Sequence, residues 1–214
     1  MIILSHAGRW QKGGEKNTES AFRQSFALGF GTTVDVRDSG GRLVVSRGIP
    51  SGREMPLDDF LGLLDGKHLP LAVAVRADGL ALTLKEAMER RGVGDWFVFD
   101  VSFSDMRAYL YADVPVFVRM SDLERSPAGF DLAAGVWLDT FAGAWYDTSL
   151  IASLLRRGKK VTLVSPELRD RDPESFWRML VPLTQEPGLM LCTEWPEIAS
   201  RFFVGSLSRE MCAQ

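Results

Sequence analysis

Eight short apolar runs of strand length alternate with helix-length amphipathic segments from one end of this chain to the other. They fall at residues 1–5, 32–36, 71–75, 96–99, 114–118, 135–138, 160–164 and 189–192. That rhythm constrains the fold strongly. Strands that return to one sheet through helices lie parallel, with right-handed crossovers. Residues 18–28 carry Ala21, Phe22, Phe26 and Ala27 in one helical stripe. Residues 149–155 place Leu150, Ile151, Leu154 and Leu155 on one face. A further helix is expected over 171–183, where Asp172-Pro173-Glu174 makes an acidic first turn that accepts proline. Eight such units predict an α/β chain: a short (β/α)8 TIM barrel, one domain over residues 1–214. Ser39-Gly40-Gly41-Arg42 before Leu43-Val44-Val45 predicts a small hairpin added after the second strand. A doubly wound open sheet is the alternative. No Gly-x-Gly-x-x-Gly follows the first run, which speaks against a dinucleotide site.

Composition narrows the partners. A formal net charge of -3 on 214 residues lacks the basic excess that nucleic-acid binding needs. No apolar run approaches the length of a membrane span. Met1-Ile2-Ile3-Leu4 has no basic flank and reads as a first strand, not a signal peptide. With only Cys192 and Cys212, no disulfide framework is expected, and the plain expectation is a cytoplasmic protein.

In a barrel of this kind, active sites sit at the C-terminal ends of the strands. Ser5-His6-Ala7-Gly8-Arg9 closes the first run, and Glu15-Lys16-Asn17-Thr18-Glu19-Ser20-Ala21-Phe22 opens the first helix, with Asn17 or Thr18 as N-cap. Gly31-Thr32-Thr33-Val34-Asp35-Val36-Arg37 makes the second run, and Leu43-Val44-Val45-Ser46-Arg47-Gly48 the return of the hairpin. Further on stand Phe97-Val98-Phe99-Asp100, Gly135-Val136-Trp137-Leu138-Asp139 and Val164-Ser165-Pro166-Glu167-Leu168. In this order, over essentially the whole chain, these segments resemble the glycerophosphodiester phosphodiesterase family. Members typically show His-Arg-Gly after strand one and Glu-Asn-Thr-x-x-Ala-Phe into the first helix. Glu-x-Asp follows in strand two, and Val-Val-x-His-Asp after a hairpin.

The resemblance implies a barrel in which two histidines serve as acid and base and carboxylates of the second and third strands hold a divalent cation. The chemistry needs that division. The diester's charge must be neutralised, one group takes a proton, and another protonates the leaving alkoxide. Carried over, His6 stands at the first histidine and Asp35 at the second carboxylate of the strand-two pair, and Asn17 and Thr18 are intact. The other positions depart from the pattern. Thr33 replaces the first carboxylate, Arg47 the second histidine, Gly48 the aspartate beside it and Ala74 the third-strand carboxylate. Arg76 stands for the family's lysine and Ala7 for its first arginine. A guanidinium cannot shuttle protons, although it can hold an anion in two places. Thr33 and Asp35 point to one side of their strand, and a hydroxyl with one carboxylate is a poor Mg²⁺ or Ca²⁺ site. No cofactor is expected; a residual Mg²⁺ or Ca²⁺ beside Asp35 stays open.

The expected site is therefore His6 and Asp35 as catalytic groups, with Arg47, Arg76, Trp10, Arg119 and Glu167 holding the substrate. Asp100, Asp139 and Glu167 end strands, where each supplies either an acid or a cap for loop backbone. Trp137 and Trp145 are expected in packing. His68, the only other histidine, precedes the third strand and belongs on the opposite rim. Three functions stay open: a non-catalytic barrel that binds an anionic, phosphoester- or phosphosugar-like small molecule or acts as a scaffold; a repurposed enzyme working through His6; and a weak metal-dependent diester hydrolase. Oligomeric state is not legible.

Overall fold

The computed structural model describes residues 1–211, with side chains through Ser206. The eight apolar runs become eight parallel strands of one nearly closed barrel: β1 (Ile2–Ser5), β2 (Gly31–Ser39), β4 (Leu71–Val75), β5 (Trp96–Phe99), β6 (Phe117–Met120), β7 (Gly135–Leu138), β8 (Lys160–Val164) and β9 (Leu189–Thr193). Their order is β5-β4-β2-β1-β9-β8-β7-β6. The expected hairpin is present. β3 (Arg42–Val45) runs antiparallel to the extended end of β2, with Gly40 and Gly41 at φ 56° and 78° in the turn.

One strand lies later than the sequence predicts. Val114, Val116, Phe117 and Val118 of the run 114–118 are buried, but the β6 ladder begins only at Phe117. Pro115 has no N–H to give; instead its carbonyl accepts from Val98 N–H at 2.9 Å. Between β5 and β6, pairing is reduced to the single bridge Val98–Val116.

Helices α1 (Glu19–Ala27), α2 (Leu57–Gly62), α3 (Ala81–Arg90), α4 (Met106–Tyr111), α5 (Thr148–Arg156), α6 (Glu174–Leu180) and α7 (Pro196–Met211) occupy the crossovers and the C-terminal end. Thr18 caps α1, its hydroxyl accepting from Ala21 N–H at 3.3 Å. α6 starts three residues after the expected 171, just beyond Pro173. No helix among the described residues is long and apolar enough to cross a membrane.

Alternation along each strand divides the apolar side chains into two sets. Val34, Val36, Val73, Val75 and Leu191 face outward and pack with helical residues such as Phe22, Phe60, Leu84 and Ile151. Leu4, Ala74, Phe97, Phe99, Phe117 and Trp137 fill the interior. The interior is thus a plug of side chains, not a channel. Phe97 stacks on Phe117 at 3.7 Å between centroids, and Phe99 on Trp137 at 3.8 Å. Cys192 is a free, fully buried thiol whose pKa burial drives well up, which leaves it inert. Cys212 lies outside the described residues.

The stacked rings depend on a glycine. A Cβ at Gly135 would come within 2.5 Å of the Phe117 ring and 2.6 Å of the Lys160 carbonyl. Gly135→Ala is therefore expected to cost about 1–3 kcal/mol through overpacking. Urea unfolding checks this, and Gly135→Ala combined with Phe117→Leu should recover part of the loss.

Candidate functional site

Continuing the inward alternation past the strand ends lines the C-terminal mouth with polar groups. His6 follows β1, Asp35 lies in β2, Arg76 follows β4, Arg119 lies in β6, Asp139 follows β7 and Glu194 follows β9. They sit above the rings of Phe99 and Trp137, which form an apolar floor. A carboxylate or guanidinium beside such a floor needs partners, because unpaired charge near low-dielectric packing is costly.

The partners are one another. Asn17 Nδ2 donates to Asp35 Oδ2 at 2.8 Å, and Arg76 Nε donates to Asp35 Oδ1 at 2.5 Å. Arg76 Nη1 also donates to Asp100 Oδ2 at 2.9 Å. Asp100 adopts φ 57°, a left-handed turn that a short polar side chain tolerates. Its other oxygen takes Arg119 Nε at 3.1 Å. Arg119 then reaches Asp139, which is wholly buried and also accepts from Arg169 Nη2 at 2.8 Å. The result is a belt of alternating charge: Asp35, Arg76, Asp100, Arg119, Asp139, Arg169. Asp35 and Asp100 together raise the Arg76 pKa despite burial, which acts to lower it.

A second group stands at the β1 and β9 ends. His6 Nδ1 lies 3.3 Å from Glu194 Oε1, and Lys16 Nζ donates to the same oxygen at 2.8 Å. Burial pushes the Glu194 carboxyl up, but the hydrogen bonds from His6 and Lys16, with their charges, outweigh it and hold its pKa below the ordinary glutamate value. Trp10 Nε1 donates to the His6 carbonyl at 2.8 Å, and the Lys16 ammonium lies 4.4 Å from the centre of the Trp10 ring. The β1 loop is pinned from below: Ala7 N–H and Gly8 N–H donate to the hydroxyls of Thr33 at 2.8 Å and Thr32 at 2.9 Å.

The residues expected from sequence fare unevenly. His6, Asp35, Arg76, Arg119 and Trp10 come together at the mouth. Thr33 and Ala74 are buried in it, and Ala74 is the register partner of Asp35. Arg47 is exposed on the loop after β3, whose Ser46 N–H donates to the Asp35 carbonyl at 2.9 Å. Glu167 turns inward: Ser165 and Thr193 hydroxyls and Glu194 N–H (3.1 Å) all donate to it, so it clamps the β8 loop to β9. His68 is exposed at the opposite rim, beside a small cavity with Asp95 and Arg91. Sequence reasoning missed Lys16, Arg169 and Glu194. Glu194 was within reach, because Met190 and Cys192 point inward and the next position of that face is 194.

No family profile and no curated protein matches the sequence. Solved structures do. A protein of Agrobacterium tumefaciens assigned as a glycerophosphoryl diester phosphodiesterase superposes with a TM-score of 0.71 at 12% identity, over 99% of both chains. A glycerophosphodiester phosphodiesterase of the same species gives 0.68 at 15% identity, over 97% of this chain and 99% of that one. A phosphodiesterase of Oleispira antarctica, solved with its product sn-glycerol-3-phosphate, gives 0.67 at 12%, over 97% of each. A barrel of other chemistry, the dihydropteroate synthase of Anaplasma phagocytophilum, gives 0.53.

The fold is that of the glycerophosphodiester phosphodiesterases. Against the cation site that the glycerophosphodiester phosphodiesterase resemblance implies, the donors here do not fit. Both Asp35 oxygens already accept from Asn17 and Arg76, the Thr33 hydroxyl accepts from Ala7 N–H, and Ala74 offers a methyl group. Among the described residues, no three His, Cys, Asp or Glu side chains gather closely enough to hold a metal.

The lowered Glu194 pKa carries a stability prediction. A depressed carboxylate pKa contributes stability that is present above the unfolded value, here 4.5, and is lost as pH falls through the folded value. Glu194→Gln is expected to cost about 1–2 kcal/mol at neutral pH, since both partners keep some contact with water. Urea unfolding from pH 7 down to pH 3 should show the wild-type advantage shrinking below about pH 4.5. A gap independent of pH would mean that the charge is not what matters.

Proposed function

We propose that the mouth binds a phosphorylated or similarly anionic small molecule without metal-dependent hydrolysis, the place of a bound cation being taken by fixed guanidinium N–H donors. One observation carries this reading: Arg76 bridges Asp35 and Asp100 with Nε and Nη1. A guanidinium has five N–H groups, so most of them stay open to a ligand while the side chain is held in place. Such pre-organisation lowers the entropy cost of binding. Arg119 is anchored in the same way by Asp100 and Asp139, and both arginines keep about a quarter of their side-chain surface exposed, 27% and 28%. The product held by the Oleispira phosphodiesterase, sn-glycerol-3-phosphate, supports a ligand of this class.

A second reading has its own support. Glu194 engages Nδ1 of His6, which orients the ring and leaves Nε2 for proton transfer, the arrangement of a single acid–base group steered by a carboxylate. That geometry favours metal-free chemistry at His6 over a metal-dependent reaction.

Titration with sn-glycerol-3-phosphate and with inorganic phosphate, followed by thermal unfolding, tests the first reading. Saturation near 100 times Kd is expected to stabilise the protein by about 2.7 kcal/mol, and Arg76→Met should weaken binding at least tenfold. Bis(p-nitrophenyl) phosphate and glycerophosphocholine are expected to show no turnover that depends on Mg²⁺, Ca²⁺ or Mn²⁺. Robust metal-dependent turnover lost in His6→Ala would overturn the proposal. Metal-free turnover, lost in His6→Ala and shifted in pH profile by Glu194→Gln, would select the second reading instead.

A further inference from the structure

The crossover from β6 to β7, residues 121–134, carries no helix. Phe130 and Ala133 of this loop pack onto the outer core in its place. On the same flank the β5–β6 pairing is reduced to one bridge. Large apolar side chains stand exposed there: Leu123 and Leu132 on the loop, and Phe103 and Tyr111 on the segment that runs through α4. The two aromatics are 71% and 78% exposed. Arg107 and Tyr111 lie one turn apart on α4, with the guanidinium 5.5 Å from the centre of the ring. Phe103 stands one turn earlier, where Met106 N–H already donates to the Ser102 carbonyl at 3.0 Å. The three residues therefore share one face.

Beside that face a cleft of about 170 Å³ opens at the seam, between residues 100–106, β6 and the loop. Val101, Met106, Val116, Pro127 and Ala128 give it apolar walls, and Phe103 stands at its edge. An apolar cavity of about 150 Å³ is large enough for benzene, so the cleft has the size of one phenyl ring. The surface thus presents an aromatic knob and, next to it, a hole of matching volume. Arg107 and Glu124 add opposite charges, and among the described residues neither forms an ion pair. Another copy of the same surface, turned by a two-fold axis, answers all of these features at once, because each element then meets its complement twice. The area is also sufficient. Aromatic side chains bury about 150–250 Å² each, so Phe103 and Tyr111 with the two leucines offer on the order of 500 Å² of apolar surface per copy. A stable interface takes about 800 Å² per partner, somewhat more than half of it apolar.

We propose that this flank is a homodimer interface, in which each Phe103 ring enters the other copy's cleft and each Arg107 pairs with the other copy's Glu124. The contact braces the β5–β6 seam from outside, where the Asp100–Arg119 pair closes it at the mouth. It does not depend on what the mouth binds.

Sedimentation equilibrium of the full chain from about 1 µM to about 200 µM tests the interface. A rise from the 23.8 kDa monomer to twice that mass is expected over this range. Phe103→Asp should raise the dimer Kd at least about tenfold, as for a central aromatic anchor, and the variant should still fold because the ring is exposed. Should it unfold, Ala128→Trp, which fills the cleft from its other wall, should give the same monomer. Arg107→Glu and Glu124→Arg should each weaken the dimer about three- to tenfold, and the two together should recover most of the affinity. The proposal is overturned if the chain stays monomeric at the highest concentration, if Phe103→Asp dimerises as well as the wild type, or if the double charge exchange binds no more tightly than its weaker single variant.

Discussion

Asp100 and Arg119 join the barrel where its backbone holds least. Between β5 and β6 the ladder is down to the Val98–Val116 bridge, so the seam must be closed by side chains. Three contacts do this at different depths. Phe97 stacks on Phe117 low in the interior, Phe99 of β5 stacks on Trp137 of β7 above it, and the Asp100–Arg119 pair crosses at the mouth. The last contact is part of a belt that continues to Asp35 on one side and Arg169 on the other. Removing one partner from a network with a wholly buried member such as Asp139 strands a charge, the costly case. The belt is thus at once a closure device and the polar surface that the mouth presents.

That double duty explains why the mouth is unlike a cation site. A divalent ion asks for several carboxylate oxygens left free to coordinate. Here the carboxylates of the belt point at guanidinium groups, which supply the compensating charge permanently. An arginine cannot leave or exchange as an ion does, and it cannot carry a proton. Within the belt, Asp35, Asp100 and Asp139 balance Arg76, Arg119 and Arg169. The belt therefore offers directed guanidinium N–H groups while its own charges cancel.

The strands were readable because parallel strands buried on both faces appear as continuous apolar runs, as in Leu71–Val75. The run at 114–118 misled because burial and ladder pairing are different things: Val114 and Val116 are buried, yet Pro115 cannot donate. Strand-end position correctly marked His6, Asp35, Arg76, Arg119 and Asp139 as groups of one rim. It could not say which of them would pair. That depends on long side chains crossing between strands distant in sequence, as Arg119 does in joining Asp100 to Asp139. Glu167 shows the same limit from the other side. Its position is that of a site residue, but Ser165 and Thr193 below it take both its oxygens.

The belt and a metal centre are alternative answers to one electrostatic problem, which makes each hard to reach from the other. A carboxylate placed at Thr33 would also remove the hydroxyl that accepts from Ala7 N–H, and Ala7 sits at φ 58°, a backbone angle that depends on such ties. A carboxylate at Ala74, the register partner of Asp35, would add negative charge over the ring of Phe99 with Arg76 still in place. Each change taken alone burdens the fold before it offers a cation anything to bind. Only simultaneous release of Arg76 would free Asp35, and that release also withdraws a partner from Asp100, and with it support for the seam that Arg119 closes. Stability at the mouth therefore keeps the guanidinium arrangement in place whatever chemistry the mouth is asked to perform.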